Sequence, residues 1–418
     1  MKELVRPHID REDIIGKFAE PEDMNMVVQE DCDLYSLNPH DPDQKNEENI
    51  IFKFRKGVFT KEEQELAYAG LREAATESQN RGKAAGPRGD NLGSGQRSHR
   101  DWVTPYQLEV IEYFSGNRLV EEFPTKKDAK EETRGQVWLR SKVIGDKYGE
   151  YDGWFDRWVT RMHNQPPSVQ AQEAEEVCKM ISETNYAQTV LSGIAGFYDR
   201  YPRIPYGRPA GYNEKNPEKF AMSFPYLRKL NNIFRKELPV RWAAQRAAAD
   251  KLDPKFLIDE TVFTTLTVNY NWRTAGHRDA GDLSSGFSNI SGIGKGWKGF
   301  VFTLPEWEIG INLQPGDLLL VNNHEGIHTN TAEIGDNNDR VSIVAYFREK
   351  MLELKSWDYE MTRKQFVEDR RKDKNHPLQR PLWNGVSPGM WETEEWREYM
   401  KSHNIDDPYG GGTLESFF

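Results

Sequence analysis

His277 and Asp279 stand two residues apart in the stretch NWRTAGHRDAGD, residues 271–282. In an extended chain alternate side chains share a side, so this imidazole and this carboxylate face the same way, as two ligands of one metal ion must. A third ligand has to come from elsewhere, and His328 follows the apolar run Asp317–Asn322 about fifty residues on. Two imidazoles and one carboxylate leave three octahedral positions open, an arrangement suited to a non-haem Fe(II) that must also hold a cosubstrate and O2. Arg340 comes twelve residues after His328, with Ser342 on the same strand face. A buried Arg offers a bidentate fork for a carboxylate such as that of 2-oxoglutarate, which Lys cannot reproduce. The ordered set His277, Asp279, His328, Arg340 thus points to Fe(II), 2-oxoglutarate and O2.

A rival pattern overlaps it. His324-Glu325-Gly326-Ile327-His328 fits H-E-x-x-H, which binds zinc only on a helix, where residues i and i+4 share a face. Gly326 inside the motif, Asn322-Asn323 before it and Thr329-Asn330-Thr331 after it all oppose a helix. The overlap leaves His324 as an alternative distal ligand; His328 is the preferred one.

The elements that must position these residues change character along the chain. Ile50–Phe54 alternates as a short strand. Thr60-Lys61-Glu62-Glu63 is a capping box that starts a helix, whose inner face is expected at Leu66, Ala69 and Leu71. Residues 80–100 are glycine-rich and read as a long loop, and a loop of that length is usually functional or disordered. Residues 104–190 look mainly helical, with Trp154, Phe155 and Trp158 as core. Leu227, Leu230 and Phe234 fall on one helical face, and Trp242–Ala249 forms helix readily. From residue 260 the period shifts to two. Strands are expected at Thr261–Asn269, Gly299–Leu304, Glu308–Leu313, Asp317–Asn322 and Val341–Phe347, separated by the Gly-rich 291–299, Pro315-Gly316 and residues 335–338. Short strands so spaced predict an α+β fold with a jelly-roll core. After Met351 the chain reads as a charged helix to about Lys374.

Composition sets outer bounds. The 418 residues are 37% hydrophobic and 29% charged, enough apolar material to exclude a wholly disordered chain. No apolar run is long enough for a membrane span, and the first residues lack the apolar stretch of a secretory signal. Cys32 and Cys178 are the only thiols, too few for a disulfide framework, so a reducing cytoplasmic setting is expected, or a nuclear one in a eukaryote. The net charge of −11 argues against a nucleic-acid coat protein but not against a local basic groove. Two stretches run against it. Asn80–Val103 holds Arg81, Lys83, Arg88, Arg97 and Arg100, and Tyr198–Arg235 is also basic and includes Arg208.

Taken together, TVNYNWRTAGHRDAGDLSSGF, GFVFTLPEWEIGINLQPGDLLLVNNHEGIHTNT and DRVSIVAYFR resemble the TET/JBP family of Fe(II)/2-oxoglutarate dioxygenases, which oxidise the 5-methyl group of pyrimidines in nucleic acid. NRGKAAG and GFYDRYPRIPYGRPAGYN are similar too, so the resemblance covers roughly residues 50–350. It implies a double-stranded β-helix domain over residues 50–350, between an acidic extension, 1–49, and a charged helical one, 351–418. It implies iron on His277, Asp279 and His328, and 2-oxoglutarate on Arg340 helped by Ser342. It places Asp282 facing the target base, and Asn269, Asn271 and Arg273 along the cosubstrate or base pocket. The two Asn equally fit plain turn and edge hydrogen bonding. The implied partner is DNA with a flipped base, its phosphates held by Arg81, Lys83, Arg88, Arg97, Arg100 and Arg208. The Cys-rich zinc region, CXXC module and J-base-binding domain of various members have no counterpart in these residues.

Overall fold

Leu318-Leu319-Leu320-Val321 is apolar at every position, which a strand tolerates only when both its faces are covered. In the computed structural model of the chain both are. Leu318 and Leu320 join one core cluster and Leu319 and Val321 another. The structure describes residues 2–78, 81–86, 110–111, 113–114, 154–183, 190–200, 204–372, 391 and 394–405. They belong to two compact units, one of Met1–Ser78, Val190–Asp369 and Ser387–Phe418, the other of Gln79–Thr189 and Arg370–Val386.

The first unit contains β1 (Lys2–Arg6), β2 (Met26–Val28), β3 (Cys32–Ser36), β4 (Ile50–Arg55), β5 (Glu77–Ser78), β6 (Val190–Arg200) and β7 (Ile204–Pro209). It continues with β8 (Thr265–Tyr270), β9 (Ser288–Gly296), β10 (Phe302–Leu304), β11 (Ile309–Ile311), β12 (Leu318–Val321), β13 (Thr329–Asn330) and β14 (Asp339–Tyr346). The larger sheet runs β1-β3-β4-β12-β9-β14-β8-β6-β5, with β7 on β6; the smaller runs β13-β10-β11-β2. Phe52, Phe54, Ile290, Leu319 and Val321 of the larger sheet meet Phe302, Leu304, Ile309 and Ile311 of the smaller one in a shared apolar interior. This is the expected α+β double-stranded β-helix. On the outer face of the larger sheet, Leu266, Val268, Ile343 and Ala345 pack with Leu227, Leu230 and Phe234 of the helix Phe224–Glu237.

The helix Lys61–Leu71 starts as expected: Thr60 Oγ1 accepts from the Glu63 amide, and Glu63 accepts from the Thr60 amide. Its inner face is shifted, however. Ala67, Gly70 and Leu71 are buried, while Leu66 is 43% exposed and Ala69 is exposed. Gly70 packs so closely that a Cβ there would lie 2.7 Å from the Lys219 carbonyl oxygen, and that backbone contact sets the helix's rotation.

The acidic extension carries strands: β1 and β3 extend the larger sheet, and β2 pairs in parallel with β11. The basic segment from Tyr198 begins within β6 and runs on through β7. One reading is corrected. The Gly-rich 291–299 is mostly strand, because β9 lies between β12 and β14 and its small residues let neighbours approach. A Cβ on Gly292 would fall 2.6 Å from the Trp297 ring.

In the second unit the helices Trp154–His163 and Pro167–Glu183 agree with the helical reading. Phe155 and Trp158 are buried, and Phe114 meets Trp158 edge-on at 5.5 Å. Residues 104–109, 112, 115–153 and 184–189, and the chain's end from 406, lie outside the described residues. Among the described residues no helix is long and apolar enough to cross a membrane.

Leu319→Ala should lower unfolding free energy by about 2–5 kcal/mol, since it empties the interior between two sheets. Leu66→Ala should stay within about 0.5 kcal/mol of wild type. Urea unfolding of the two variants checks the assignment of faces.

Candidate metal centre

β8 delivers the first two ligands and β13 takes over from the third. Between them His277 and His328 exchange backbone hydrogen bonds, His277 N–H to His328 O at 3.2 Å and His328 N–H to His277 O at 3.0 Å. This pair brings the two rings to 4.2 Å between centroids. Asp279 lies between them, its Oδ1 3.6 Å from His277 Nε2 and its Oδ2 3.4 Å from His328 Nε2. All three ligand atoms lie within 4.8 Å of one another.

Both imidazoles are oriented by backbone. His277 Nδ1 is 2.7 Å from the Ala275 carbonyl and His328 Nδ1 is 3.2 Å from that of Gly326. A carbonyl only accepts, so each Nδ1 carries the proton and each Nε2 keeps its lone pair for a cation. Burial, then the neighbouring His328, push His277 down to about 4. Burial would raise the Asp279 carboxyl, but His328 and His277 outweigh it and hold it low. Ring nitrogens with free lone pairs beside an ionised carboxylate suit a metal ion. Asn323 donates to Asp279 Oδ2 at 3.3 Å, and Phe302 stacks on His328 at 5.7 Å.

Residues 322–326 form a turn, not a helix. This removes the zinc-peptidase geometry and leaves His324 outside the cluster. His324 instead lines a narrow crevice with Asp282, Ser288, Asn323 and Tyr346. Asp282 is buried and accepts from Ser288 Oγ at 2.6 Å. Burial, and then the charge of Asp279, push its carboxyl well up, favouring its protonated form.

Arg340 and Ser342 share the inner face of β14, as period two predicts. Arg340 is 3% exposed, and among the described residues no carboxylate pairs with it. Its guanidinium lies over the rings of Phe300, at 5.0 Å, and Trp297, at 5.8 Å, and reaches the Trp272 carbonyl at 3.4 Å. Its Nε has no partner at all. Burial alone lowers it to about 10. A cation buried in this way calls for an anionic partner, and a carboxylate such as that of 2-oxoglutarate suits it in charge and in donor geometry.

The other sequence-predicted residues divide. Asn269 bridges Ser192 Oγ, at 2.5 Å, and Ser342 Oγ, at 3.4 Å, within the sheet. Asn271 takes φ +41° and brackets Arg340 through its amide and side chain, which is the turn role. Arg273 is engaged by other groups: it binds the carbonyls of Ala19 and Asn330 and pairs with Glu20 at 2.8 Å. Arg208 is engaged with Glu214 at 3.6 Å, so it is not a free phosphate ligand. In the second unit Lys83 is exposed and Arg81 half-buried. Arg88, Arg97 and Arg100 lie outside the described residues. Sequence reasoning missed Glu306, Asn323, Trp297 and Phe300, which no motif marks. Tyr346 it could have found, since Arg340, Ser342, Val344 and Tyr346 continue one alternation.

A family model described as the oxygenase domain of the 2OGFeDO superfamily, Tet_JBP, matches residues 195–349. The thymine dioxygenase JBP1 of Leishmania braziliensis is 33% identical over 177 residues, 41% of this chain and 21% of its own. That of Crithidia fasciculata is 31% identical over 176 residues, with the same shares. The chain thus spans about a fifth of the length of these curated relatives. A solved structure of NgTET1 in complex with 5mC DNA aligns with 42% of this chain and 69% of its own, at 13% identity and a TM-score of 0.34.

His328→Ala should abolish Co(II) binding, followed by visible absorption, whereas His324→Ala should leave the affinity within about threefold. Arg340→Met should raise unfolding stability by about 1–3 kcal/mol, because it removes an uncompensated buried charge. The same variant should lose 2-oxoglutarate binding by calorimetry.

Proposed function

We propose that this chain, whose residues 195–349 form a Tet_JBP oxygenase domain of the 2OGFeDO superfamily, is an Fe(II)/2-oxoglutarate-dependent dioxygenase. Its substrate is the 5-methyl group of a pyrimidine in DNA, and its product the hydroxymethyl base. The observation that carries this is the pairing of a ligand-ready His277–Asp279–His328 cluster with a buried, anion-less Arg340. The curated relatives are named for thymine, a pyrimidine that carries that methyl.

In this reading His277 Nε2, Asp279 and His328 Nε2 would hold the iron. Arg340 binds the far carboxylate of 2-oxoglutarate, with Ser342 Oγ on the same strand face. Bound iron supplies the oxidation: one oxygen of O2 enters the methyl C–H bond, and the other enters 2-oxoglutarate as it loses CO2 to become succinate. The chain's own work is positioning and exclusion of water. Trp297 and Phe300 cover the guanidinium, so a carboxylate there is read in an apolar surround, where its charge counts for more. In the same reading Asp282, which accepts from Ser288 Oγ, stands toward the target base. A base inside a duplex cannot reach such a site, so it must leave the stack first. Lys83 and Arg81 remain candidates for phosphate contacts. The reaction and the two-thiol composition fit a reducing cytoplasm, or a nucleus.

DNA incubated with protein, Fe(II) and 2-oxoglutarate, then digested and analysed by nucleoside mass spectrometry, should gain hydroxymethyl pyrimidine. Asp279→Ala should reduce it to background. Succinate formed without change in any DNA base would transfer the activity to another substrate.

A further inference from the structure

The matched family domain begins at residue 195, yet the segments that carry the ligands are gripped by residues far upstream. Gly16 donates to the Gly276 carbonyl at 2.8 Å, and Gly276 donates to that of Lys17 at 2.7 Å, one residue before His277. Ala19 N–H donates to Thr329 Oγ1 at 3.3 Å, one residue after His328. Ile14 and Ala19 share a small apolar cluster with Ile327. Gly276 admits no side chain, since a Cβ would lie 2.5 Å from the Ile14 carbonyl oxygen.

One buried carboxylate closes the same frame from the other side. Glu306 is 1% exposed. Its Oε2 accepts from the Ile327 amide at 2.6 Å, and its Oε1 accepts from Arg278 at 2.6 Å. Arg278 lies between the ligands His277 and Asp279, and also pairs with Glu12 at 2.6 Å. His8 is 3.2 Å from Glu306 Oε1, and the Ile9 amide donates to the Glu306 carbonyl at 2.8 Å. The residues on both sides of each histidine are therefore held either by the N-terminal segment or by Glu306.

We infer that the segment Ile9–Glu20 and Glu306 are positioning parts of the metal centre, which clamp residues 276–278 and 327–329 so that the two imidazoles and the carboxylate meet at one ion. This rests on reading His277, Asp279 and His328 as a metal site. A carboxylate that orders the backbone around ligands acts on affinity without touching the ion, and such partners typically contribute about 10–100-fold. Coupling is reciprocal: if the clamp tightens the metal, the metal must tighten the clamp.

The test uses the full chain and Co(II), read by its visible absorption. Glu306→Gln should weaken Co(II) binding about 10–100-fold and alter the absorption envelope. Asp33→Asn is the control: Asp33 is also a buried carboxylate, paired with Arg55 at 2.6 Å, but lies on β3, which pairs with β1 and β4. It should lose comparable thermal stability while its Co(II) affinity stays within about threefold. In the wild-type chain, saturating Co(II) should slow amide hydrogen exchange at Ile9, Gly16 and Ala19. Wild-type affinity in a folded Glu306→Gln, or unchanged exchange at those amides, overturns the inference; the exchange arm decides alone if the variant does not fold. A wild-type chain that binds no Co(II) overturns the metal site itself, a result distinct from binding that leaves the clamp unmoved.

Discussion

Everything at this centre depends on two backbone hydrogen bonds between His277 and His328, residues about fifty positions apart in the chain. They fix the separation of the two rings, and Asp279 then has little freedom but to lie between them. The ring Nδ1 atoms donate to carbonyls two residues back in each case, so the same local geometry that makes the bridge also sets the tautomer. A bridge of one residue pair is weak by itself. It persists because β8 leads into one arm and β13 leaves the other, and each is bonded into a sheet.

The interior between the sheets is divided in character. Toward β4, β12 and β11 it is hydrocarbon, with Phe52, Phe54, Leu319 and Ile311 closely packed. Toward β8 and β14 it turns polar, with Asn269, Ser342 and Arg340 on inner-face positions. An apolar residue at 340 would suit the core better, since an unpaired buried guanidinium costs free energy. A bound anion would offset that cost. Trp297 and Phe300 soften the cost through their ring faces, and Gly292 leaves Trp297 room to do so.

Several features were legible because they are local. The capping box at Thr60 needs only four residues. The strand of β14 shows its alternation openly, and Gly326 between Asn322 and His328 argues against a helix without any tertiary knowledge. Other features were not. β9 reads as a turn because SNISGIGKG has the composition of one, and only its two neighbours make it a strand. The helix at 61–71 shows its period but not its rotation, which depends on contact between Gly70 and the Lys219 backbone. Arg273 looks like a site residue from its place next to β8, but the N-terminal segment claims it.

The amino-acid sequence alone pointed to the kind of chemistry: which side chains could bind a metal, which could bind a carboxylate, and the β-rich class of scaffold that presents them. Residue type and short-range period carry that information, since ligand chemistry and side-chain alternation are properties of a few neighbouring residues. Tertiary structure decided which histidine of the pair 324 and 328 enters the cluster, which charges stay unpaired, and that residues 9–20 bond to the segments on either side of it. Those outcomes turn on contacts between segments as much as about 300 residues apart, such as Ile9 with Glu306, and no local pattern encodes a pairing of that range.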